Sequence, residues 1–160
     1  MANDILLKTE EGRFSLRVGG ICRRAGKVLL HTSSDESGYS IPGGHVSFGE
    51  DTRAALIREF REELGVEVRV GALRWIGENF FPMRGEPCHQ ICFYYEVYPG
   101  DALPEGAFDG IEAYGQTERT LSFRWVPLDQ VGELNLYPSN CIPFLQSGDQ
   151  ELKHFIYRGE

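Results

Sequence analysis

The chain has 160 residues, of which 41% are hydrophobic, 12% aromatic and 25% charged, which is the composition of an ordinary globular domain. This excludes a collagen-like or intrinsically disordered chain, and the length predicts a single domain over residues 1–160 that can bury a core without disulfides or a structural metal. With 16 Lys and Arg against 24 Asp and Glu, the net charge is −8, which argues against binding to nucleic acid polymers or anionic membranes.

The cysteine pattern and the N-terminal residues predict a cytoplasmic protein. No CxxC pair occurs among the four cysteines, which indicate thiols in a reducing compartment: Cys22, Cys88, Cys92 and Cys141. Residues 1–12 carry four charged side chains and lack the hydrophobic segment of a signal peptide. No apolar run approaches the roughly 18 residues of a membrane span, so no membrane partner is expected.

Hydrophobic patterning and turn residues predict short strands around one long helix. In chain order, the predicted elements are strands over residues 14–23 and 27–31, an apolar piece over 39–41, a helix over 51–64, strands over 66–81, 88–98 and 121–126, short helices over 129–131 and 139–146, and a last strand or helical turn over 153–157. Residues 101–120, rich in glycine, proline and acidic residues, are predicted to form a functional or mobile loop. Strands on both sides of one strong helix indicate a mixed α+β or α/β domain.

The helix over residues 51–64 is the element with the clearest boundaries. Asp51 or Thr52 can cap its first turn, and Gly65 follows its last residue, where a left-handed C-cap favours glycine. At about 100° per residue, three carboxylates fall within an arc of about 100° beside an apolar stripe. These carboxylates are Glu59, Glu62 and Glu63.

The clustered carboxylates have two interpretations. Like charges three or four residues apart destabilise a helix by roughly 0.2–0.5 kcal/mol per pair, and a divalent cation among them removes that cost. Hard oxygen ligands favour Mg²⁺ or Mn²⁺ over zinc. The alternative is a solvated acidic helix face. A Gly-Gly turn and Glu50 upstream of the helix favour the metal-binding interpretation.

The residues around this helix resemble the motif of a known family. Gly44, five residues, Glu50, seven residues and then residues 58–66 (REFREELGV) resemble the Nudix box, G-x5-E-x7-R-E-U-x-E-E-x-G-U, where U is a bulky aliphatic residue. Every fixed letter matches, and the one departure is Phe60 at a position that is usually aliphatic. Residues 123–129 also look like the last-strand segment common in such hydrolases.

The resemblance implies an α/β fold of the Nudix type, an α/β/α sandwich in which a mixed β-sheet carries the Nudix helix on one face. It also implies a hydrolase that uses Mg²⁺ or Mn²⁺ to cleave the pyrophosphate linkage of a nucleoside diphosphate derivative. Such substrates include nucleoside triphosphates, ADP-ribose-like compounds and nucleotide sugars. The expected partner is therefore a small molecule, and homodimers are frequent among relatives.

The resemblance further implies roles for individual residues. The implied metal ligands are Glu59, Glu62, Glu63, the backbone carbonyl of Gly44, and Glu50 directly or through water. Arg58 would orient a glutamate through an ion pair. The general base is open between the motif and later carboxylates: Glu59, Glu62, Glu96, Glu112 and Glu118. Glu118 is singled out, because a base in or beside a long loop could close over substrate.

The residues that would bind the phosphate groups and the base of the substrate are less clearly indicated than the metal ligands. Arg17 and Arg23 could contact phosphate, with ordinary surface charge as the alternative. Phe81 could stack on a base, although aromatic residues in strands more often belong to the core. Pro82, 16 residues after Val66, resembles the downstream proline of ADP-ribose pyrophosphatases, with a turn proline as the alternative.

Two other functions are compatible with the same fold. A non-catalytic nucleotide-binding module would be expected to lack carboxylates of the motif, and none is missing. An isomerase acting on an isoprenoid diphosphate would need a catalytic cysteine, for which Cys22 and Cys88 are candidates.

Overall fold

The computed structural model describes residues 3–34, 36–114 and 117–159, with backbone alone for residues 113, 114 and 117. The strands are β1 (Leu6–Lys8), β2 (Arg13–Arg24), β3 (Lys27–Ser33), β4 (Gly43–His45), β5 (Arg69–Met83), β6 (Glu86–Tyr98), β7 (Phe108–Tyr114), β8 (Thr117–Pro127) and β9 (Lys153–Arg158). The helices are α1 (Thr52–Leu64), a 3-10 helix (Leu128–Glu133) and α2 (Cys141–Gln146).

The strands form a mixed sheet in the order β7-β8-β3-β2-β6-β5-β9, with β1 and β4 also paired to β2. The pairs β2–β6 and β5–β9 are parallel. The pairing of β2 with β3 is confined to the hairpin end, where Arg23 lies opposite Val28 and Arg24 opposite Lys27. Farther from the turn, β2 pairs with β4 instead. The sheet therefore divides between β2 and β3.

Two apolar clusters lie on opposite faces of the sheet, because successive strand residues point to opposite sides. Leu29 of β3 packs in the cluster that contains Leu56 and Phe60 of α1. Its neighbours Val28 and Leu30 pack in the other cluster, beneath α2 and the 3-10 helix. This arrangement confirms the predicted α/β/α sandwich with a mixed sheet.

Local signals at both ends of α1 explain its boundaries. The Asp51 carboxylate accepts a hydrogen bond from the Ala54 amide at 2.8 Å, which satisfies one free donor of the first turn. Gly65 closes the helix at φ 68°, a left-handed conformation that favours glycine. Phe60, the departure from the aliphatic motif position, packs on Gly20, where an added Cβ would lie 2.7 Å from its ring.

The predicted loop over residues 101–120 is wrong in its second half. β7 and the start of β8 occupy it as an antiparallel hairpin at the edge of the sheet, with residues 115 and 116 outside the described part. Phe108 stacks on Phe123 with ring centroids 5.4 Å apart, a contact distant in sequence that stabilises the pairing. Residues 100–104 are held by Arg24, which donates to the carbonyls of Gly100 and Leu103.

Two further predictions are corrected by the strand pairing. Pro82 lies within β5, opposite Pro87 of β6, because the hairpin turns at Arg84 and Gly85, both with positive φ. The predicted strand over residues 66–81 begins at Arg69 and continues to Met83.

Among the described residues, no helix has the length and apolar character needed to cross a membrane.

Candidate active site

Arg58 is the centre of the carboxylate cluster on α1. Its Nε and Nη2 atoms donate to the two carboxylate oxygens of Glu50 at 2.8 and 2.9 Å. Its Nη1 donates to Glu59 at 3.0 Å and to Glu62 at 3.2 Å. Nη2 also donates to the carbonyl of His45, next to Gly44 in β4, at 2.9 Å. One guanidinium thus fixes three of the motif carboxylates relative to β4.

Glu50 is held in its ionised form by this arrangement. The hydrogen bonds from Arg58, and a further one from the Ser47 amide at 3.0 Å, keep the pKa of Glu50 below its usual value. A two-point contact between guanidinium and carboxylate also fixes orientation. The placement suits the role that the sequence assigned to Arg58, the orientation of a glutamate.

Glu59 and Glu63 form a buried carboxylate pair. Their side chains are hydrogen-bonded to each other, and the Glu63 side chain is buried, with the residue 7% exposed. Burial and the adjacent Glu59 raise the pKa of Glu63 well above its usual value, and burial also raises the pKa of Glu59. Each of two carboxylates this close disfavours ionisation of the other. Glu63 Oε2 is buried and has no hydrogen-bond partner.

The backbone of Gly44 lies directly against the Glu59 carboxylate. A Cβ added at Gly44 would lie 2.2 Å from Glu59 Cδ and 2.4 and 2.5 Å from its two oxygens. Any side chain at position 44 would therefore displace the Glu59 carboxylate. The first residue of the motif is therefore required by the close approach of β4 to α1.

The residues present fit a hard divalent cation. Within residues 3–34, 36–114 and 117–159, no three His, Cys, Asp or Glu side chains are arranged as a metal site, because Glu59 and Glu62 turn toward Arg58. The donor set nevertheless consists of carboxylates, which suit Mg²⁺ or Mn²⁺. Glu63 Oε2 lacks a partner and the adjacent Glu59 charge raises the pKa of Glu63, so a cation bound between the two carboxylates would relieve their repulsion.

Glu112, two residues after Gly110, which packs against the backbone of Glu63, is a later carboxylate whose charge acts on this pair. Its charge contributes to the raised pKa of Glu63. It lies opposite Arg119 in the β7–β8 hairpin, and Arg119 Nη2 donates to Glu112 at 3.2 Å and contacts Glu36 at 2.9 Å. The sequence offered Glu112 only as one of several candidate bases, because its position depends on the strand register.

The structure places Glu118 and Glu96 away from the pair. Glu118 is exposed in β8, and, as the neighbour of Arg119, it points to the opposite face of the strand. It is therefore not part of a loop that could close over the site. Glu96 is buried in β6 and paired with Arg23 at 3.3 Å and Arg74 at 3.5 Å, which indicates a structural role.

The three predicted substrate-binding residues lie at different places on the sheet. Arg17 of β2 lies opposite His45 of β4, beside Gly44, and its charge lowers the pKa of both Glu59 and Glu63. Arg23 lies six residues farther along β2, roughly 20 Å away, and binds Glu96 and the carbonyl of Leu145. Phe81 is half-buried in β5 opposite Cys88, near the β5–β6 turn and apart from the carboxylates.

His31 is a buried residue at the site that the sequence did not single out. Its ring packs on Phe123, and its Nδ1 atom has no hydrogen-bond partner. Burial, together with the charges of Arg17 and Arg119, lowers the pKa of His31 to about 3. The imidazole is therefore neutral at physiological pH.

This pKa predicts an acid-sensitive contribution to stability. Because the folded pKa of His31 is about 3 and the ordinary value is 6.5, the unfolded chain binds the extra proton and stability falls as pH decreases from about 6.5 toward 3. We expect the Tm difference between pH 7.5 and pH 5.0 to be smaller in His31→Gln than in the wild type. Equal differences in the two proteins would contradict this.

Comparisons with known proteins show the family of this chain. The family model described as NUDIX domain matches residues 13–145. CTP pyrophosphohydrolase of Escherichia coli (strain K12) is 47% identical over 58 residues, which are 34% of this chain and 43% of that protein. A Bacillus subtilis (strain 168) protein provisionally named 8-oxo-dGTP diphosphatase YtkD is 38% identical over 79 residues, 48% of this chain and 48% of that protein.

The crystal structure of the MutT protein from Bacillus halodurans has a TM-score of 0.60 to this chain at 18% identity, covering 90% of both chains. That similarity shows a common fold. The matched stretches span less than half of the length of the two curated relatives.

Proposed function

The chain belongs to the Nudix family, and on that premise we propose that it hydrolyses the pyrophosphate linkage of a nucleoside diphosphate derivative with a divalent cation. The observation that carries the proposal is the carboxylate cluster of α1. Arg58 orders Glu50, Glu59 and Glu62 around itself, while Glu63 is buried beside Glu59 with one oxygen unpartnered. Burying a carboxylate beside another costs folding free energy, and such an arrangement is expected where it serves binding or catalysis.

The cation would be Mg²⁺ or Mn²⁺, held by carboxylates and one backbone carbonyl: Glu59, Glu62, Glu63, Gly44 and, directly or through water, Glu50. When bound, it neutralises phosphate charge and lowers the pKa of water. Arg58 keeps the carboxylates in place. Arg17 supplies a positive charge for the phosphate chain in a protein whose net charge is −8.

The general base is proposed among groups that can reach solvent near the cluster. Glu62 is 48% exposed at its side chain and has one carboxylate oxygen on Arg58, so it can accept a proton from water. Glu112 is the second candidate, because it lies beside the Glu59–Glu63 pair. Both replace Glu118, whose side chain faces away.

Within the substrate class, we place nucleoside triphosphates first. The names of both curated relatives specify hydrolysis of a nucleoside triphosphate, CTP in one and 8-oxo-dGTP in the other. ADP-ribose-like compounds have less support, because Pro82 is a strand residue paired with Pro87. Nucleotide sugars stay in the class to be tested.

The isomerase alternative is not supported by the thiols. Burial raises the pKa of Cys22 to about 12 and that of Cys92 to about 11, and it also raises the pKa of Cys88 and Cys141. All four thiols are therefore protonated at neutral pH, and the thiolate is the nucleophilic form.

A substrate panel tests the proposal. The purified protein is incubated with nucleoside triphosphates, 8-oxo-dGTP, ADP-ribose, nucleotide sugars, NADH and diadenosine polyphosphates, with Mg²⁺ or Mn²⁺, and released phosphate or pyrophosphate is measured. We expect turnover of at least one compound and complete loss of it in EDTA. Turnover that persists in EDTA, or no turnover of any compound, would contradict the proposed function.

A further inference from the structure

A chain of polar side chains crosses the apolar sheet face that lies opposite α1. Asn79 of β5 is 2% exposed and donates from Nδ2 to Gln90 Oε1 of β6 at 3.1 Å. Tyr94 and Cys92 of β6 are buried on the same face of the sheet. Buried polar groups cost free energy unless they are satisfied, yet Asn79 Oδ1 is buried without a partner.

The outer end of this chain lies close to the phosphate-binding side of the site. Gln90 is opposite Asn79 on one side and Ser15 of β2 on the other. Arg17, two residues along β2, points to the same face and lies opposite Cys92. With strands about 4.8 Å apart and 3.3 Å per residue, Gln90 and Arg17 are about 8 Å apart at the backbone. A nucleotide carries its phosphates and its base at opposite ends of one sugar and can reach both.

The network determines which hydrogen-bonding group Gln90 offers. Asn79 Nδ2 donates to one lone pair of Gln90 Oε1, which turns the oxygen of the half-buried Gln90 amide toward Asn79 and leaves its Nε2 group as a donor. Because Asn79 is 2% exposed and donates to Gln90 within the protein, this contact is present before any ligand binds. A preorganised donor beside a phosphate site suits a carbonyl oxygen or ring nitrogen of a nucleobase.

Aromatic residues extend the same row of the sheet. Tyr157 of β9 lies opposite Asn79, and Tyr137 packs edge-on to it with ring centroids 6.5 Å apart. Tyr137 is 44% exposed. Exposed aromatic surface next to a fixed hydrogen-bond donor is what a planar, polar-edged ligand requires.

We propose that Gln90, oriented by Asn79, is a specificity-determining residue that donates a hydrogen bond to the nucleobase of the substrate. This inference rests on the proposed function, since it assumes that Arg17 and the α1 carboxylates receive the phosphate chain. It assigns base recognition to the face of the sheet opposite α1, reached through the division between β2 and β3.

The test compares substrates with and without a base. kcat/KM is measured for the best nucleoside triphosphate of the panel and for ribose 5′-triphosphate, in the wild type, Gln90→Glu and Gln90→Met. We expect both variants to lose at least about tenfold on the nucleotide, mainly through KM, because a base acceptor then lacks its donor. Hydrolysis of ribose 5′-triphosphate should stay within about twofold of wild type. Gln150→Glu, the same change at an exposed glutamine, should alter neither.

The outcomes separate this inference from the proposed function. Equal losses on both substrates in the Gln90 variants, or no loss on either, would overturn the role of Gln90 while hydrolysis stands. If the wild type hydrolyses neither compound, the proposed function fails, and Kd values for the α,β-methylene analogues of the four common nucleoside triphosphates decide the role of Gln90. Weaker binding by about tenfold in both variants supports it, and unchanged or absent binding refutes it.

Discussion

The Glu62→Gln variant is expected to lose at least about 100-fold in kcat on the nucleotide that the wild type hydrolyses best, the scale of losing a positioned ligand or base. Its stability should change by less than about 0.5 kcal/mol, because the Glu62 side chain is 48% exposed and its ion pair with Arg58 is of the solvent-screened kind. The amide can still accept from Arg58, so the other carboxylates stay in place. Steady-state kinetics and thermal unfolding measure the two quantities.

A matched change nearby provides the control. Glu67 is exposed and pairs with Arg61 at 2.6 Å, outside the cluster ordered by Arg58. Glu67→Gln removes the same charge five residues downstream and should leave kcat at the wild-type value. Wild-type turnover in Glu62→Gln would refute the role assigned to Glu62, whatever the control shows.

The helix could be predicted from the sequence because its determinants are local. Asp51 and Gly65 act within one turn of each end, and the carboxylates follow a period of about 100° per residue. The same angles also explain burial. Glu63 lies near the apolar stripe and is buried, with the residue 7% exposed, whereas Glu62 lies on the far side of Glu59 and is half exposed.

The β7–β8 hairpin could not be predicted, because its stabilisation is not local. Phe108 and Phe123 stack across 15 positions of the chain, and β8 is further held by β3. Glycine and acidic residues in this edge strand interrupt the alternation of apolar and polar residues from which a strand is predicted. The placement of Glu112 follows from its register with Arg119, and Glu118 lies in β8 rather than in the predicted loop.

The positions of the proposed substrate-binding residues also depend on strand pairing and could not be predicted from the sequence. The sequence alone does not distinguish Arg17 from Arg23, because both are arginines in one predicted strand. Only the pairing distinguishes them, because β4 joins β2 at Arg17, whereas Arg23 lies at the hairpin end and neutralises Glu96. Asn79 and Gln90 are 11 residues apart along the chain and meet only through the β5–β6 register.

The second large effect is expected for Gly44→Ala. The new methyl group would lie 2.2 Å from Glu59 Cδ, a distance that no relaxed structure tolerates, so the Glu59 carboxylate must move by about an ångström or more. A misplacement of that size can cost about 100-fold in rate, and we expect kcat to fall by at least that factor. Mn²⁺ affinity, measured from the EPR signal of free Mn²⁺, should fall as well.

Gly106→Ala separates this steric effect from the general cost of replacing a glycine. A Cβ at Gly106 meets no atom within 4 Å, so its kcat and Mn²⁺ affinity should match those of the wild type. If Gly44→Ala also bound Mn²⁺ and turned over substrate normally, the contact between β4 and Glu59 would have no part in function. The paired result, loss at Gly44 and none at Gly106, would show that α1 and β4 act together through the Glu59 carboxylate.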